Sequence, residues 1–288
     1  MDLLLNQLAN GLVLGSLYAL IAVGLSIIFG ILGIVNFAHG VFFALGAYLA
    51  VEFTAYVGWF GLVLAPIAVG ILGALLELTI VKRLYRAEPL LGLIVTVGLA
   101  FTLEAAIREV WGPVGIPFSP PEALKGFIEF GPLFLTRYRV AVIVAAMVLL
   151  ALFWGLLNFT SLGRIIRAGS RDPEMISLLG INIPHVLTFA FSLGCALAAA
   201  AGVLSAPLWS ITPTMGALAI MPAFVIITIG GLGSYVGSVI GAYLVGIINA
   251  LCVQYLPQAS GIAMYVLMGV VILLRPRGLL GQHWERFE

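Results

Sequence analysis

Long apolar stretches alternate along the chain with short polar interruptions, a pattern typical of a polypeptide that crosses a membrane several times. A helix needs about 20 apolar residues to cross the hydrocarbon core of a bilayer. By that measure the pattern predicts nine membrane-spanning helices, within a range of eight to ten. The predicted spans are residues 8–30, 37–56, 60–81, 90–108, 139–158, 186–206, 218–232, 235–255 and 261–274. The seventh and the last are short, which indicates broken or partly re-entrant helices.

The composition supports a membrane protein and excludes several other classes. Of the 288 residues, 62% are hydrophobic and 9% are charged, whereas a soluble domain carries about 25% charged residues. A chain this apolar could not cover a water-facing surface, so its solvent is lipid. The net charge of +1 gives no basic field for nucleic acid. We therefore predict an all-α polytopic membrane protein in which residues 1–288 form a single transmembrane domain with broken helices.

Nine of the 13 Lys and Arg residues form three clusters, and the predicted spans place all three on one face of the membrane. The clusters are Lys82, Arg83 and Arg86; Arg164, Arg167 and Arg171; and Arg275, Arg277 and Arg286. Because basic residues accumulate in cytoplasmic loops, this face should be the cytoplasm. An odd number of spans then predicts an outside N-terminus and a cytoplasmic C-terminus. Residues 109–138 become the largest external loop, and residues 159–185 become a cytoplasmic loop.

Charged residues are scarce inside the predicted spans. Glu104 and Arg108 stand four residues apart on one helix, which favours a local pair. Glu77 lies close enough to the cytoplasmic interface for its carboxylate to reach the headgroups. No charged residue lies clearly at mid-membrane, which disfavours a proton-coupled or ion-coupled pump.

The 34 glycines indicate close helix packing, and two stretches of the chain echo each other. Small residues at four-residue spacing let helix backbones approach closely. GILG at 30–33 precedes GAYL at 46–49, and GGLG at 230–233 precedes GAYL at 241–244. Such echoes are typical of transporters built from internal repeats. Two four-residue matches leave open either an internal repeat or chance similarity.

No catalytic constellation is visible in the sequence. It contains no H-E-x-x-H, no G-x-S-x-G and no Cys-x-x-Cys motif. It also lacks G-x-x-x-x-G-K-[ST], so this chain cannot hold ATP phosphates in a P-loop. The three histidines are scattered, and Cys195 and Cys252 lie in apolar runs. We predict no catalytic residue, no metal site and no cofactor on this chain.

The main polar interruption in the first third of the chain is NFAHG, which directly follows a glycine-rich break. On a helix, Asn36 and His39 would share a face. One interpretation is that they line a pathway and offer hydrogen bonds to a polar solute. The other is that they satisfy backbone amides freed at a helix N-terminus. Both interpretations stay open.

A charged island, RIIRAGSRDPEMISLLGIN, interrupts the apolar sequence in the second half of the chain. It contains the residues that helix N-termini prefer, namely an N-cap, a proline and an acidic side chain. These are Asp172, Pro173 and Glu174. Gly180 suits the left-handed position just after a helix. The signals predict a short helix over 173–179, which would either lie against headgroups or form a knob that fits a groove on another protein.

Four stretches resemble the permease subunits of branched-chain amino-acid ABC importers, the LivH-type family. They are GSLYALIAVGLSIIFGILGIVNFAHGVFFALGAYLA (15–50), TSLGRIIRAGSRDPEMISLLGIN (160–182), GGLGSYVGSVIGAYLVGIINAL (230–251) and RPRGLLG (275–281). The likeness extends over nearly the whole chain. By this resemblance the charged island is a coupling loop that docks on an ATPase subunit. The residues expected at that contact are Arg164, Arg167, Asp172, Pro173, Glu174 and Gly180.

The resemblance also implies an assembly in the cytoplasmic membrane of a prokaryote. Its parts would be a second permease subunit, identical or homologous, two ATPases that bind ATP and Mg²⁺, and an external solute-binding protein. The external loop 109–138 suits docking of the binding protein, through Glu122, Lys125 and Glu129. Within it, FIEFGPLFLTR predicts two short apolar stretches joined by a turn at Gly-Pro.

The implied function is import of amino acids, with branched-chain amino acids first among the substrates. The residues themselves do not choose among these, other amino acids, urea and amides. A stand-alone secondary transporter or facilitator of a small polar solute is the alternative, and an intramembrane enzyme is a third interpretation. Ionisable residues at mid-membrane would favour the transporter, and a Ser-His or metal set would favour the enzyme. The capped helix of the charged island favours the importer subunit.

Overall fold

The computed structural model describes residues 2–33, 35–85, 88–130, 133–171 and 173–281. Within these residues the chain forms eleven α-helices and one β-hairpin. The helices are α1 (Asp2–Leu32), α2 (His39–Val57), α3 (Gly61–Thr79), α4 (Pro89–Trp111), α5 (Arg137–Phe159), α6 (Ser161–Arg171), α7 (Pro173–Leu178), α8 (Ile183–Ser205), α9 (Met215–Gly230), α10 (Tyr235–Tyr255) and α11 (Ser260–Leu274). The hairpin pairs β1 (Phe127–Phe130) with β2 (Leu133–Thr136); the sequence predicted two short apolar stretches here, but not strands.

Nine of these helices match the nine predicted spans, which confirms the all-α polytopic fold. Seven segments of the described chain are long and apolar enough to cross a membrane, and α2 and α3 form one of them, His39–Thr79. Helix α9 has 16 residues, which corresponds to about 24 Å against a hydrocarbon core of about 30 Å. The predicted shortness of the seventh span is confirmed.

Local signals in the sequence set several helix ends. The Thr136 hydroxyl accepts a hydrogen bond from the Arg139 backbone N–H at the start of α5. Ser234 caps α10 in the same way by accepting from the Gly237 N–H. Both bonds satisfy amides that a helix leaves unpaired in its first turn. Gly112, with a φ of +83°, ends α4.

Helices α1, α2, α8 and α9 form the centre of the bundle and contribute long runs of buried side chains. Glycines allow their backbones to approach closely. A Cβ atom on Gly24 of α1 would come within 2.6 Å of the Gly194 carbonyl oxygen of α8. A Cβ atom on Gly11 would come within 2.7 Å of the Ile247 Cα of α10. These contacts confirm that small residues set the helix spacing.

Two sets of three helices, α1 to α3 and α8 to α10, repeat the same arrangement in opposite directions. In each set a long helix (α1 or α8) leads through a non-helical segment to a short helix (α2 or α9), and a tight turn then leads to α3 or α10. Helix α1 packs along α10, and α8 packs along α3. Helices α2 and α9 run antiparallel, because Gly40 contacts Gly216 while Phe37 contacts Phe224. Exchanging the two sets preserves this pattern, so the fold contains an inverted repeat.

The two sequence echoes do not mark this repeat. They align α2 with α10, because GAYL occurs in both helices. The contacts instead make α2 equivalent to α9 and α3 equivalent to α10. An internal repeat is therefore present, but the register that the echoes indicated is wrong.

The basic clusters lie at one end of the bundle, as the predicted spans require. The ends of α3, α5 and α9 and the starts of α8 and α10 meet there. The described members are Lys82, Arg83, Arg164, Arg167, Arg171, Arg275 and Arg277, whereas Arg86 and Arg286 lie outside the described residues. The 109–138 loop lies at the opposite end, where the Phe134 N–H donates to Asn6 Oδ1.

Candidate functional site

The charged island folds into two short helices at the end of the bundle that carries the basic clusters. The predicted helix is present as α7 (Pro173–Leu178), and the Leu179 N–H still bonds to the Met175 carbonyl. Gly180 follows with a φ of +78°, the left-handed conformation that its position predicted. Asp172 and the side chains of Pro173 and Glu174 lie outside the described residues.

Helix α6 is the part of the island that sequence reasoning missed. The Thr160 hydroxyl accepts from the Gly163 N–H and caps it, and Ile166 is buried against the bundle. Arg164 and Arg167 are exposed on the opposite face, and Arg167 Nη1 donates to Asn158 Oδ1 at 2.7 Å. The cap and the apolar spacing were visible in the sequence and could have predicted this helix.

Helix α7 presents apolar side chains to its surroundings. Ile176 is buried, whereas Leu178 and Leu179 are 82% and 69% exposed and Met175 is also exposed. We call the exposed set Met175, Leu178 and Leu179 the α7 knob. An apolar surface on a rigid, charged segment at the end of a bundle can pack into a groove on a partner protein or against lipid headgroups.

The start of α8, just after the α7 knob, is tied to α3 by a buried carboxylate. Glu77 of α3 is fully buried and accepts a hydrogen bond from the Thr188 hydroxyl at 2.5 Å. It also accepts one from the Tyr85 hydroxyl, which lies beyond the short helix that follows α3. The expectation that Glu77 reaches the headgroups is wrong, because protein hydroxyls surround its carboxylate. This link connects the island to the first half of the repeat.

The non-helical segment before α2, called segment 33–38, is described at residues 33 and 35–38, which are buried or partly buried in protein. Asn36 and His39 are buried. Asn36 Oδ1 accepts from the Ala38 N–H at 3.1 Å, and His39 Nε2 lies 3.2 Å from the Ile21 carbonyl. The backbone role proposed for this pair is therefore visible in Asn36. In the described part of the chain, Asn36 Nδ2 and His39 Nδ1 have no hydrogen-bond partner.

Thr96 of α4 closes the same segment from the side. Its hydroxyl accepts from the Phe37 N–H at 3.3 Å and lies 3.1 Å from the Val35 carbonyl. Non-helical backbone at membrane depth must be buried in protein or face water. For segment 33–38 the single chain already supplies the protein. Whether Asn36 and His39 line a pathway in an assembly stays a prediction.

The equivalent non-helical segment 206–214, which precedes α9, is more open. Its Ile211 pairs with Ile116 of the 109–138 loop through two backbone hydrogen bonds of 2.9 and 3.0 Å. Beyond this pair, one face of α9 is buried and the other is exposed. The exposed residues are Thr214, Ala217, Leu218 and Met221, and we call them the α9 face. The sequence signal for this region was the ITPT stretch just before a span too short to cross.

Along the long axis of the helices, the α9 face lies between the two ends of the bundle rather than at one of them. Gly216 contacts Gly40, and the neighbouring His39 is level with Ile21 in the interior of α1. Leu218 is nevertheless 74% exposed. The Thr214 hydroxyl and aliphatic side chains therefore stand together on an open surface at membrane depth. Such a surface can pass a small solute that has polar ends and an apolar side chain.

The 109–138 loop carries an exposed ion pair. Lys125 Nζ lies 2.5 Å from Glu122 Oε1, and both side chains are exposed. The side chain of Glu129 lies outside the described residues. The pair is available to an approaching partner, but on its own it contributes little to stability. Among the described residues, no group of three or more His, Cys, Asp or Glu is placed to hold a metal ion.

Comparisons with known proteins agree over nearly the whole chain. The profile of a family described as the permease component of branched-chain amino acid transport systems matches residues 7–275. The high-affinity branched-chain amino acid transport system permease protein LivH of Escherichia coli (strain K12) is 33% identical, over 96% of each chain. The corresponding protein BraD of Pseudomonas aeruginosa is also 33% identical over 96% of each chain. The permease protein LivM of Salmonella typhimurium is 26% identical, over 92% of this chain and 68% of its own length. No solved structure matches the chain significantly.

Proposed function

Because the chain belongs to the family of permease components of branched-chain amino acid transport systems, we propose that it is the membrane subunit of an ATP-driven importer. An external solute-binding protein delivers an amino acid to it, with branched-chain amino acids as the first substrates to test. Separate ATPase subunits bind ATP and Mg²⁺ and drive the transfer into the cytoplasm. A second permease subunit completes the membrane part, and the similarity to LivM supports a partner of the same family.

The α7 knob is the observation that carries this proposal. Its exposed apolar side chains stand at the end of the bundle where the basic clusters lie, which the excess of Lys and Arg assigns to the cytoplasm. A helix bounded by Pro173 and Gly180 is a rigid shape that a groove on an ATPase can grip. The buried link of Glu77 to Thr188 then carries a displacement of the knob into α3.

The same assembly gives the α9 face a role in the solute route. A second permease placed opposite would enclose the face in a passage rather than leave it in lipid. The Thr214 hydroxyl suits a polar end of an amino acid, and Leu218 and Met221 suit an aliphatic side chain. Asn36 and His39 stay candidates for the route only if assembly or motion uncovers them.

The coupling role is tested by replacing Gly180 with Val. A φ of +78° is unfavourable for a β-branched residue, so the end of α7 should shift while the chain still inserts. In the reconstituted complex, uptake and ATP hydrolysis stimulated by the binding protein should both fall several-fold. Gly261→Val is the matched control, because Gly261 has ordinary φ and open space around its Cβ position.

Unchanged stimulated ATP hydrolysis in Gly180→Val would contradict the coupling role of α7. Uptake that proceeds without any ATPase subunit would contradict the importer itself and favour a facilitator. The two results are distinguishable, because the first leaves ATP-dependent uptake in the unaltered complex intact.

The external loop offers a separate test of the assembly. Photo-cross-linkers placed at Glu122 and Lys125 should capture the solute-binding protein, because both side chains are exposed at the end opposite the basic clusters. The same cross-linker at buried Val142 of α5 is the control. Repeated failure of the loop positions to capture the binding protein, with uptake intact, would remove this loop from the docking surface.

A further inference from the structure

A cavity of about 310 Å³ lies at the end of the bundle opposite the basic clusters. It is formed by the first turns of α1, the start of α5, the last turns of α10 and the segment that follows α8. Five of its lining side chains are polar or carry a polar tip, namely Gln7, Asn10, Arg139, Trp209 and Asn249. None of the lining residues belongs to α2, α4 or α9, so the cavity is separate from the α9 face.

The guanidinium of Arg139 is held in place within this cavity. Its Nη1 donates to Asn10 Oδ1 at 2.5 Å. Asn10 Nδ2 donates to Gln7 Oε1 at 3.3 Å, and Gln7 Nε2 donates to Gln254 Oε1 at 2.9 Å. An arginine has five N–H donors in a planar fork that matches a phosphate or carboxylate. Among the described residues, no ion pair engages Arg139, so its remaining donors suit an oxyanion.

The position of the cavity along the membrane normal matches the headgroup region. Arg139 is the third residue of α5, a helix of 23 mostly apolar residues. Trp209 is half-exposed beside it, and tryptophan concentrates at the membrane–water interface. The scarcity of Lys and Arg clusters at this end assigns it to the outer face.

The shape of the cavity indicates which oxyanion fits. Between α1 and α10 it is closed towards the membrane centre, because Gly15 packs directly on Gly246. Its rim includes Val253, which is 56% exposed on the outer surface of α10. A ligand can therefore place a charged group on Arg139 while its apolar part leaves sideways into lipid.

We propose that this cavity is a binding site for the phosphodiester headgroup of an outer-leaflet phospholipid, held by Arg139, Asn10 and Gln7. The phosphate accepts from the guanidinium and the side-chain amides, and the acyl chains lie along the exposed apolar surface beside Val253. A free phosphate would use the same donors without the apolar surface. The site would add a lipid to the proposed assembly.

Native mass spectrometry of the full-length permease complex tests the proposal. The complex is reconstituted with phosphatidylglycerol, and retained lipids are counted as detergent is increased. Wild type should retain one tightly bound phospholipid per copy of this chain. Arg139→Gln should lose this lipid at a roughly tenfold lower detergent concentration, because a charge-assisted hydrogen-bond pair is removed. Arg137→Gln is the matched control, since Arg137 is exposed two residues earlier and does not line the cavity.

Thermal unfolding of the same complexes separates the possible ligands. Phosphatidylglycerol should raise the Tm of wild type more than diacylglycerol with the same chains, and Arg139→Gln should abolish that difference. Arg139→Lys keeps the positive charge but lacks the planar guanidinium. It should retain part of the Tm difference, which would show that the loss in Arg139→Gln is not caused by misfolding. Equal lipid retention in wild type and Arg139→Gln, or equal loss in Arg137→Gln, would overturn the proposal. An equal effect of glycerol phosphate, or protection by leucine instead of lipid, would overturn it too.

Discussion

The two non-helical segments at membrane depth, 33–38 and 206–214, occupy equivalent places in the inverted repeat and are surrounded differently. The first is closed within the chain by Asn36 and by Thr96 of α4. The second is held on one side by Ile116 and then opens onto the α9 face. Both obey the rule that irregular backbone at this depth needs protein or water around it.

The difference between the segments shows which non-helical backbone this chain covers by itself and which it leaves exposed. The polar side chains of segment 33–38 find partners in the same polypeptide, as the structural interpretation of Asn36 expects. Segment 206–214 and the α9 face are more exposed. In the proposed importer with two permeases, we therefore expect the second segment, rather than the first, to meet the solute route.

The largest effect should come from the contact between α2 and α9, the helices that follow the two segments. Gly40→Val would place side-chain atoms against the Gly216 carbonyl and Ile220, and overpacking of this kind costs about 1–3 kcal/mol or more. The yield of folded protein in the membrane should fall severely. Gly98→Val in α4, where a Cβ atom meets nothing within 4 Å, is the control. Normal yield of Gly40→Val, measured by size-exclusion profile, would show that α2 and α9 can separate.

An intermediate effect should follow from changing Asn36. Asn36→Leu removes the acceptor of the Ala38 N–H, and an unsatisfied buried donor costs about 1–3 kcal/mol. The Tm of the complex should fall, and uptake per assembled complex should stay normal if the role is structural. His39→Asn, which keeps hydrogen-bonding capacity, should be milder. A normal Tm with slow uptake per complex would instead place Asn36 in the pathway and undo the contrast between the two segments.

The smallest effect on the fold should come from a cysteine on the α9 face. Ala217→Cys, in a background with Cys195 and Cys252 replaced by alanine, should leave the Tm unchanged because Ala217 is exposed. A membrane-impermeant thiol reagent should modify it far faster than a cysteine at buried Ala38. Modification should slow uptake, and substrate delivered by the binding protein should slow modification. Reaction only with a membrane-soluble reagent would mean that the α9 face contacts lipid.

Features that depend on neighbouring residues were predictable from the sequence. The nine spans follow from hydropathy, because crossing a membrane is a matter of length and apolarity. Helix α7 and its left-handed Gly180 follow from local capping preferences. The two apolar stretches around Gly-Pro that form β1 and β2 also follow from the local pattern. None of these needs knowledge of a distant contact.

Features that depend on distant contacts were not predictable in the same way. The burial of Glu77 requires Thr188, which lies 111 residues away and becomes its partner only when α3 and α8 pack. The depth at which α9 begins depends on the meeting of Gly40 and Gly216. The repeat is defined by the directions and contacts of the helices, so the GAYL matches indicated the wrong pair of equivalent helices, α2 and α10. Helix α6 is a different case, because its Thr160 cap and its apolar spacing are local signals that were overlooked.

Helix α8 connects the two ends of the bundle without a break. This helix runs from Ile183 to Ser205 without a break, which is about 34 Å. One end adjoins the α7 knob, and the Leu204 carbonyl near the other end accepts from the Tyr138 hydroxyl of α5. A tilt of about 5° at the knob would swing the far end by about 3 Å over that length. If the α7 knob docks on an ATPase as proposed, a small movement on one side of the membrane would therefore displace the end of α8 on the other.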